Sequence, residues 1–329
     1  MTAEIIDIKD NEEAALARAL AALADGQPIG LPTETVYGLA GDVSNPAALN
    51  RIYAAKGRPR FNPLIAHVAS LEMARQHAVF SPLAAGLAAS FWPGPLTLVL
   101  PLADGHGIHE LATAGLDTVA VRMPRGFASR VIAAFGKPLA VPSANRSGRI
   151  TATSAAHVAE DLGADIPLIL DGGPTPVGVE STILKVDGDA LTLLRPGGIA
   201  TEAIEAVACF PVARLASSPQ GVDGSVIAPG MLSSHYAPAA QLVLEADACQ
   251  PGDAVIRFGG RALGGEADAR LVLDLSPAGD INEAATNLFG HLKAADASGA
   301  ATIRVGPVPH EGLGEAIADR LQRAAAPRP

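Results

Sequence analysis

The chain has 329 residues, 34 of them acidic and 24 basic, for a formal net charge of -10. With 49% hydrophobic and 18% charged residues it is globular in balance, outside the low-hydrophobicity, high-charge regime of disordered chains. No run approaches the roughly 20 apolar residues that span a bilayer. Met1-Thr2-Ala3-Glu4 opens without the basic and apolar regions of a secretory signal. Cys209 and Cys249 form no CxxC pair, which excludes a thiolate zinc site and a disulfide framework. A cytoplasmic protein with no membrane contact and about two domains is expected, at roughly 150 residues per domain.

In chain order, Glu4 to Ile8 reads as a strand. Asn11 to Ala24 reads as an Ala/Leu-rich helix, capped by Asp10 or Asn11 and ended at Gly26. Pro28 to Leu31 is extended. Asn45-Pro46 opens a second helix that Gly57 closes just after Lys56. Further strands are predicted at Leu64–Val68, Leu96–Leu100, Thr118–Arg122, Pro138–Val141, Leu168–Leu170, Thr182–Val186 and Leu191–Leu194. Helices are predicted at Leu71–His77, Leu83–Ser90, Ala128–Phe135 and Ser154–Leu162. The varied loop lengths point to an α/β domain with a mixed sheet.

Periodicity is lost between about Ala216 and Ala239, where Ser217-Ser218-Pro219-Gln220-Gly221 and Ala228-Pro229-Gly230 have linker composition. It resumes with strands at Gln241–Leu244, Asp253–Phe258, Leu271–Leu275 and Thr302–Val305, and helices at Ile281–Ala297 and near Leu313–Ala325. The expected organisation is an α/β domain over 1–215, a linker over 216–238 that covers a site, and a smaller doubly wound, Rossmann-like α/β domain over 239–329.

Charge is unevenly placed. Val43 to Leu71 and Thr118 to Ala159 contain no Asp or Glu, yet hold ten of the 24 basic residues. Such windows in an acidic chain point to a surface that focuses field on an anionic ligand. Nucleotide fingerprints fail: there is no GxxxxGK[ST], and the glycines from Gly259 to Gly265 have the wrong spacing for a dinucleotide turn. Ser143 is not in a GxSxG elbow, and His106-Gly107-Ile108-His109-Glu110 reads as a solvated loop. Instead, polar segments fall at strand ends, where open α/β sheets bind ligands.

Those segments carry a resemblance. Lys56-Gly57-Arg58 with Ser143-Ala144-Asn145 resembles the KxR…SxN signature of YrdC-type threonylcarbamoyl-AMP synthases. The matching context runs from Thr33-Glu34-Thr35-Val36-Tyr37-Gly38-Leu39 through Asn62-Pro63-Leu64, Trp92-Pro93-Gly94-Pro95, Val121-Arg122-Met123-Pro124, Glu180-Ser181-Thr182 and Arg195-Pro196-Gly197. It covers the first 200 residues, and His235-Tyr236-Ala237-Pro238 with the trailing domain is similar to the long, two-domain form.

The resemblance implies a YrdC-like twisted mixed sheet around a basic concave site. It also implies condensation of L-threonine, bicarbonate and ATP into threonylcarbamoyl-AMP and pyrophosphate, with Mg2+ on the ATP phosphates and no metal ligand of protein origin. A separate complex would then modify tRNA next to the anticodon, so contact with tRNA would be indirect or weak. By the same resemblance Lys56, Arg58, Ser143 and Asn145 are the catalytic set. Asn62, Thr118, Arg195, His235 and Tyr236 join them around ATP, and Thr35, His67, Arg122 and Ser181 form the threonine pocket. Asp171 and Glu180 are expected to be structural. The alternative is a non-catalytic module for tRNA or double-stranded RNA, against which 4% aromatic content and the acidic charge weigh. A hydrogenase-type carbamoyl-transfer factor would need a cysteine-rich zinc segment that two isolated cysteines cannot build.

Overall fold

The computed structural model describes residues 2–214, 228 and 234–327. The first unit begins with β1 (Glu4–Asp7), α1 (Glu12–Ala24), β2 (Ile29–Pro32), β3 (Tyr37–Asp42), α2 (Pro46–Lys56) and β4 (Ile65–His67). It continues with α3 (Leu71–Arg75), α4 (Pro82–Phe91), β5 (Leu96–Pro101), α5 (Glu110–Thr113), β6 (Thr118–Arg122) and α6 (Phe127–Phe135). The remaining elements are β7 (Leu139–Ala140), α7 (Ala155–Leu162), β8 (Leu168–Asp171), β9 (Thr182–Asp187), β10 (Ala190–Arg195), α8 (Thr201–Ala208) and β11 (Ala213–Arg214). Its strands form one sheet in the order β1-β8-β2-β3-β7-β4-β6-β5-β9-β10-β11. Parallel pairs such as β4/β6 and antiparallel pairs such as β5/β6 make that sheet mixed, as the loop lengths predicted.

Local chemistry explains most boundaries. Asn11 caps α1 through its side chain, which accepts from the Ala14 amide at 3.0 Å. Asn45 caps α2, Pro46 occupies its first turn, and Gly57 ends it in the left-handed region. Four elements of the first unit went unread: β3, α8 and the short α5 and β11. β3 is buried throughout, but Gly38, Gly41 and Asp42 within it are poor strand formers, so its residues read as a loop. It pairs antiparallel with β2. The turn between them is held by the Thr33 hydroxyl, which accepts from the Val36 amide at 3.3 Å and donates to the Val36 carbonyl at 2.6 Å. α8 is a short amphipathic helix that buries Ile204.

The second unit comprises β12 (Gln241–Val243), β13 (Ala254–Arg257), β14 (Leu271–Asp274), α9 (Ile281–Ala297), β15 (Thr302–Val305) and α10 (Gly314–Ala325). Its sheet is parallel, ordered β12-β15-β13-β14. The sheet is parallel α/β as expected, but the doubly wound, Rossmann-like arrangement with helices on both faces is corrected by the packing of α9 and α10. Leu288, Phe289 and Leu292 of α9 and Ile317 and Leu321 of α10 pack with Ala254, Ile256, Ile303 and Val305, so both helices share one face. Val255 on the other face meets Ala246, Cys249 and Leu263 from a loop.

The two units share a core: Val36, Ile150 and Val179 of the first cluster with Tyr236 and the α9 side chains. Most of the linker expected over 216–238 lies outside the described residues; residues 228 and 234–238 are placed. Among the described residues no helix is long and apolar enough to cross a membrane.

Candidate active site

The two faces of the large sheet follow from strand alternation. On one part of one face, α1 and α6 cover β2, β7 and β8 through Ala15, Ala19, Leu23, Val131 and Ile132. His67 sits opposite Leu139 in register, so the same face continues onto β4, and through Arg122 and Thr97 onto β6 and β5. There the apolar cluster consists of Ile65, Val99, Ala120, Ile183 and Leu194 from strands, joined by Ala228. No helical residue belongs to it among the described residues. Into this helix-free half point Arg58, His67, Arg122, Ser181 and Arg195, which line a single cavity with Ser143.

Lys56 is the last residue of α2 and only 2% exposed. Its ammonium donates to the carbonyls of Ser143 and Asn145, each at 2.5 Å, and its own carbonyl accepts from the Ser147 amide at 2.7 Å. The two acid-free windows therefore meet at this point. Burial, reinforced by Arg58 nearby, pushes the Lys56 ammonium well below its ordinary value. Arg58 donates to the Asn62 side chain at 2.6 Å and to the Asn62 and Pro63 carbonyls at 3.1 and 2.8 Å. Burial brings it down to about 10. Asn62, expected at ATP, thus orients Arg58 here. Asn145 is fully buried; its amide donates to the carbonyls of Arg146 and Arg149, while its side-chain oxygen has no partner.

Arg122 is 3% exposed. Its Nη2 lies 2.8 Å from a Glu34 carboxylate oxygen, and its Nε donates to the Gly94 carbonyl at 3.3 Å. The Glu34 contact is an ion pair whose angles are too poor for a hydrogen bond, since both atoms lack one. A two-pronged grip on a ligand carboxylate would share Nη2 with Glu34. Burial, with Arg122 alongside, lowers His67 to about 3, so its ring is neutral at physiological pH. Its Nδ1 is 3.3 Å from the Ile65 carbonyl, which favours a proton there and leaves Nε2 an acceptor. The Thr33 hydroxyl spends its proton on Val36, so Thr35 donates to Thr33 across 2.8 Å.

Ser181 shares a 2.7 Å hydrogen bond with Thr97, and its carbonyl accepts from Arg195 at 2.9 Å. The loop after Arg195 fits only because residue 197 is glycine: a Cβ there would stand 2.4 Å from the Glu180 carbonyl and the Thr182 nitrogen. Thr118 shares the face with Arg122 but starts β6, four residues or about 13 Å away along the strand, outside the cavity lining.

Sequence reading missed the opposite wall. His235 and Tyr236 line the cavity as expected, but they are seated by the last helix. The His235 amide donates to the Arg323 carbonyl at 3.1 Å, and Tyr236 stacks on Phe289 with ring centroids 5.4 Å apart. Arg320, fully buried in α10, donates to Glu180 at 2.8 Å and to the Pro196 carbonyl at 2.9 Å, and its guanidinium carbon is 5.3 Å from the centre of the Tyr236 ring. Burial alone would raise the Glu180 carboxyl; Arg320 and Arg195 outweigh it and bring the group down to about 2. Glu180, read as structural, therefore puts a fixed negative charge in the cavity wall. No local pattern announces this, because its partner lies 140 residues away.

The remaining basic residues of the two windows do not form a continuous surface. Arg130 pairs with Glu12 and Glu13, Lys137 with Asp42, and Arg146 with Asp165. Acids from outside the windows neutralise these three.

This geometry has relatives. A sequence model of the Sua5/YciO/YrdC family, described as telomere recombination, matches residues 21–197. A second, described as the threonylcarbamoyl-AMP synthase C-terminal domain, matches residues 199–326. The chain is 40% identical to the threonylcarbamoyl-AMP synthase of Pyrococcus abyssi over 98% of both chains. It is 38% identical to that of Bacillus subtilis over 99% of this chain and 97% of the other. Superposed on the crystal structure of P. abyssi Sua5 complexed with L-threonine, it gives a TM-score of 0.88 at 38% identity, covering 98% of this chain and 97% of that one. With fold and both sequence models in agreement, the chain belongs to the Sua5/YciO/YrdC family, in its two-domain form.

Proposed function

We propose that the protein is a threonylcarbamoyl-AMP synthase, an adenylating nucleotidyltransferase. The observation that carries this reading is a cavity lined by Arg58, Ser143, Arg195 and a buried arginine, Arg122, suited to an amino-acid carboxylate, with Lys56 behind it holding the Ser143 and Asn145 carbonyls. The threonine amine adds to bicarbonate, with loss of water, to give an N-carboxylate. A carbamate oxygen then attacks the α-phosphorus of ATP, and the bond from that phosphorus to the pyrophosphate oxygen breaks. The substrate brings its own nucleophile, so the protein's tasks are orientation and charge stabilisation.

In this reading Lys56, Arg58 and Arg195 neutralise the phosphates, and Ser143 and Asn145 supply directed hydrogen bonds near the α-phosphate. Asn62 acts by holding Arg58. Thr118 meets a nucleotide lying along the β6 row. Arg122 takes the threonine carboxylate, while Thr35, Ser181 and the neutral His67 ring address its amine and hydroxyl. His235 and Tyr236, on the linker over 216–238, close over the bound reactants and keep water from a labile mixed anhydride. Mg2+ enters with ATP and supplies charge neutralisation on the phosphates. The wall carboxylate, Glu180, has its oxygens on Thr151 and Arg320, which suits an ion held by phosphate rather than by protein. The product would pass, in the cytoplasm, to a complex that modifies tRNA.

The test is turnover by the purified full chain with ATP, Mg2+, labelled bicarbonate and a panel of amino acids. Threonine-dependent pyrophosphate release with a labelled adenylate is expected. RNA binding without such release would overturn the reading in favour of a non-catalytic module.

A further inference from the structure

We infer that Arg320, on the last helix of the second unit, is a positioning residue of the first unit's site, where it neutralises Glu180 so that the cavity can accept a polyanion. The inference rests on the nucleotide reading above. Glu180 lines the same cavity as Arg58, Arg195 and Ser143 and is 5% exposed. A bare carboxylate there would either repel the triphosphate or capture Arg195, a cavity cation that already acts on it. Arg320 prevents both outcomes. It takes one Glu180 oxygen at 2.8 Å while Thr151 takes the other at 2.9 Å, which leaves Arg195 on the Ser181 carbonyl.

The geometry makes Arg320 more than a generic ion-pair partner. From one guanidinium it reaches three segments that form the wall: Glu180, the Pro196 carbonyl in the loop that carries Arg195, and the ring of Tyr236. Its remaining side is held by Asp319, which also binds Arg323, whose carbonyl in turn holds the His235 amide. The second unit contributes a counter-charge to the site as well as a cover.

The experiment compares Arg320→Met, Glu180→Gln and the double variant in the full chain, with fold checked by circular dichroism and KM measured separately for ATP and threonine. For Arg320→Met we expect KM for ATP to rise by about tenfold or more, because a buried carboxylate is left unpaired, with KM for threonine changed less than about threefold. Adding Glu180→Gln removes that charge and should bring KM for ATP back to within about threefold of Glu180→Gln alone. A folded Arg320→Met with wild-type KM for ATP overturns the inference, and so does a double variant no better than the single. Should Arg320→Met fail to fold, the double variant and Glu180→Gln decide: a KM for ATP within threefold between them supports neutralisation, and a larger gap overturns it. Failure of the synthase reading is distinguishable, because the wild-type chain would then show no ATP-dependent release at all.

Discussion

The helix-covered and helix-free halves of one sheet face lie on neighbouring strands of one sheet and end as opposites. Under α1 and α6, the face buries Leu23, Val131, Ile132, Leu139 and Leu168 in an apolar layer. From the adjoining strand β4 onward it buries Arg58, His67, Arg122 and Arg195. The first half stabilises by removing apolar area from water. The second concentrates cations whose partners are backbone carbonyls and a few carboxylates, an arrangement that costs desolvation and becomes favourable when an anion arrives. The contrast shows that the site is where the fold withholds a helix.

The strongest way to break that contrast is to remove the cations. Lys56→Ala and Arg58→Ala should each lower turnover about 10²- to 10³-fold, as expected for loss of a preorganised charge stabiliser, while circular dichroism stays native. Rates near wild type would mean that the helix-free half does not serve the chemistry.

An acid titration sharpens the comparison. His67 and His235 are both brought to about 3, by burial first. The unfolded chain binds protons below the ordinary histidine value near 6.5 that the folded chain refuses, so stability falls as pH drops from there. Each contributes a slope of about 1.4 kcal/mol per pH unit until carboxylates join near 4.5. Urea midpoints at pH 7, 6 and 5 should show that loss, and His67→Gln with His235→Gln should flatten it. An unchanged slope would place the acid sensitivity elsewhere.

The smallest expected effect is at the edge of the site. Thr118→Ala removes one hydroxyl from the far end of the β6 row and should raise KM for ATP about two- to tenfold, the range of one hydrogen bond. No change would confine the nucleotide to the Arg122 end.

Much of this was legible along the chain. Asn45, Pro46 and Gly57 announce α2, whose end presents Lys56 and Arg58, through local backbone chemistry, and the strand ends that present Ser143 and Arg122 follow from apolar runs and the turn residues beside them. What was hidden depends on partners far away in sequence. Glu34 reads as a turn residue until Arg122 arrives beside it, and Glu180 gains its role only from Arg320. The acid-free windows overstated the basic surface for the same reason, since Glu12, Asp42 and Asp165 reach in from outside them. β3 escaped because its glycines carry no strand signal while its burial is set by β2 and β7.

The position of Arg320 has a consequence for synthesis. A nascent chain exposes Lys56, Arg58 and Arg195 long before the ribosome has released α10. Until then the chain carries an uncompensated wall carboxylate and lacks the full seat of His235 and Tyr236. Competence to bind nucleotide should therefore appear late and in one step, when the final helix docks.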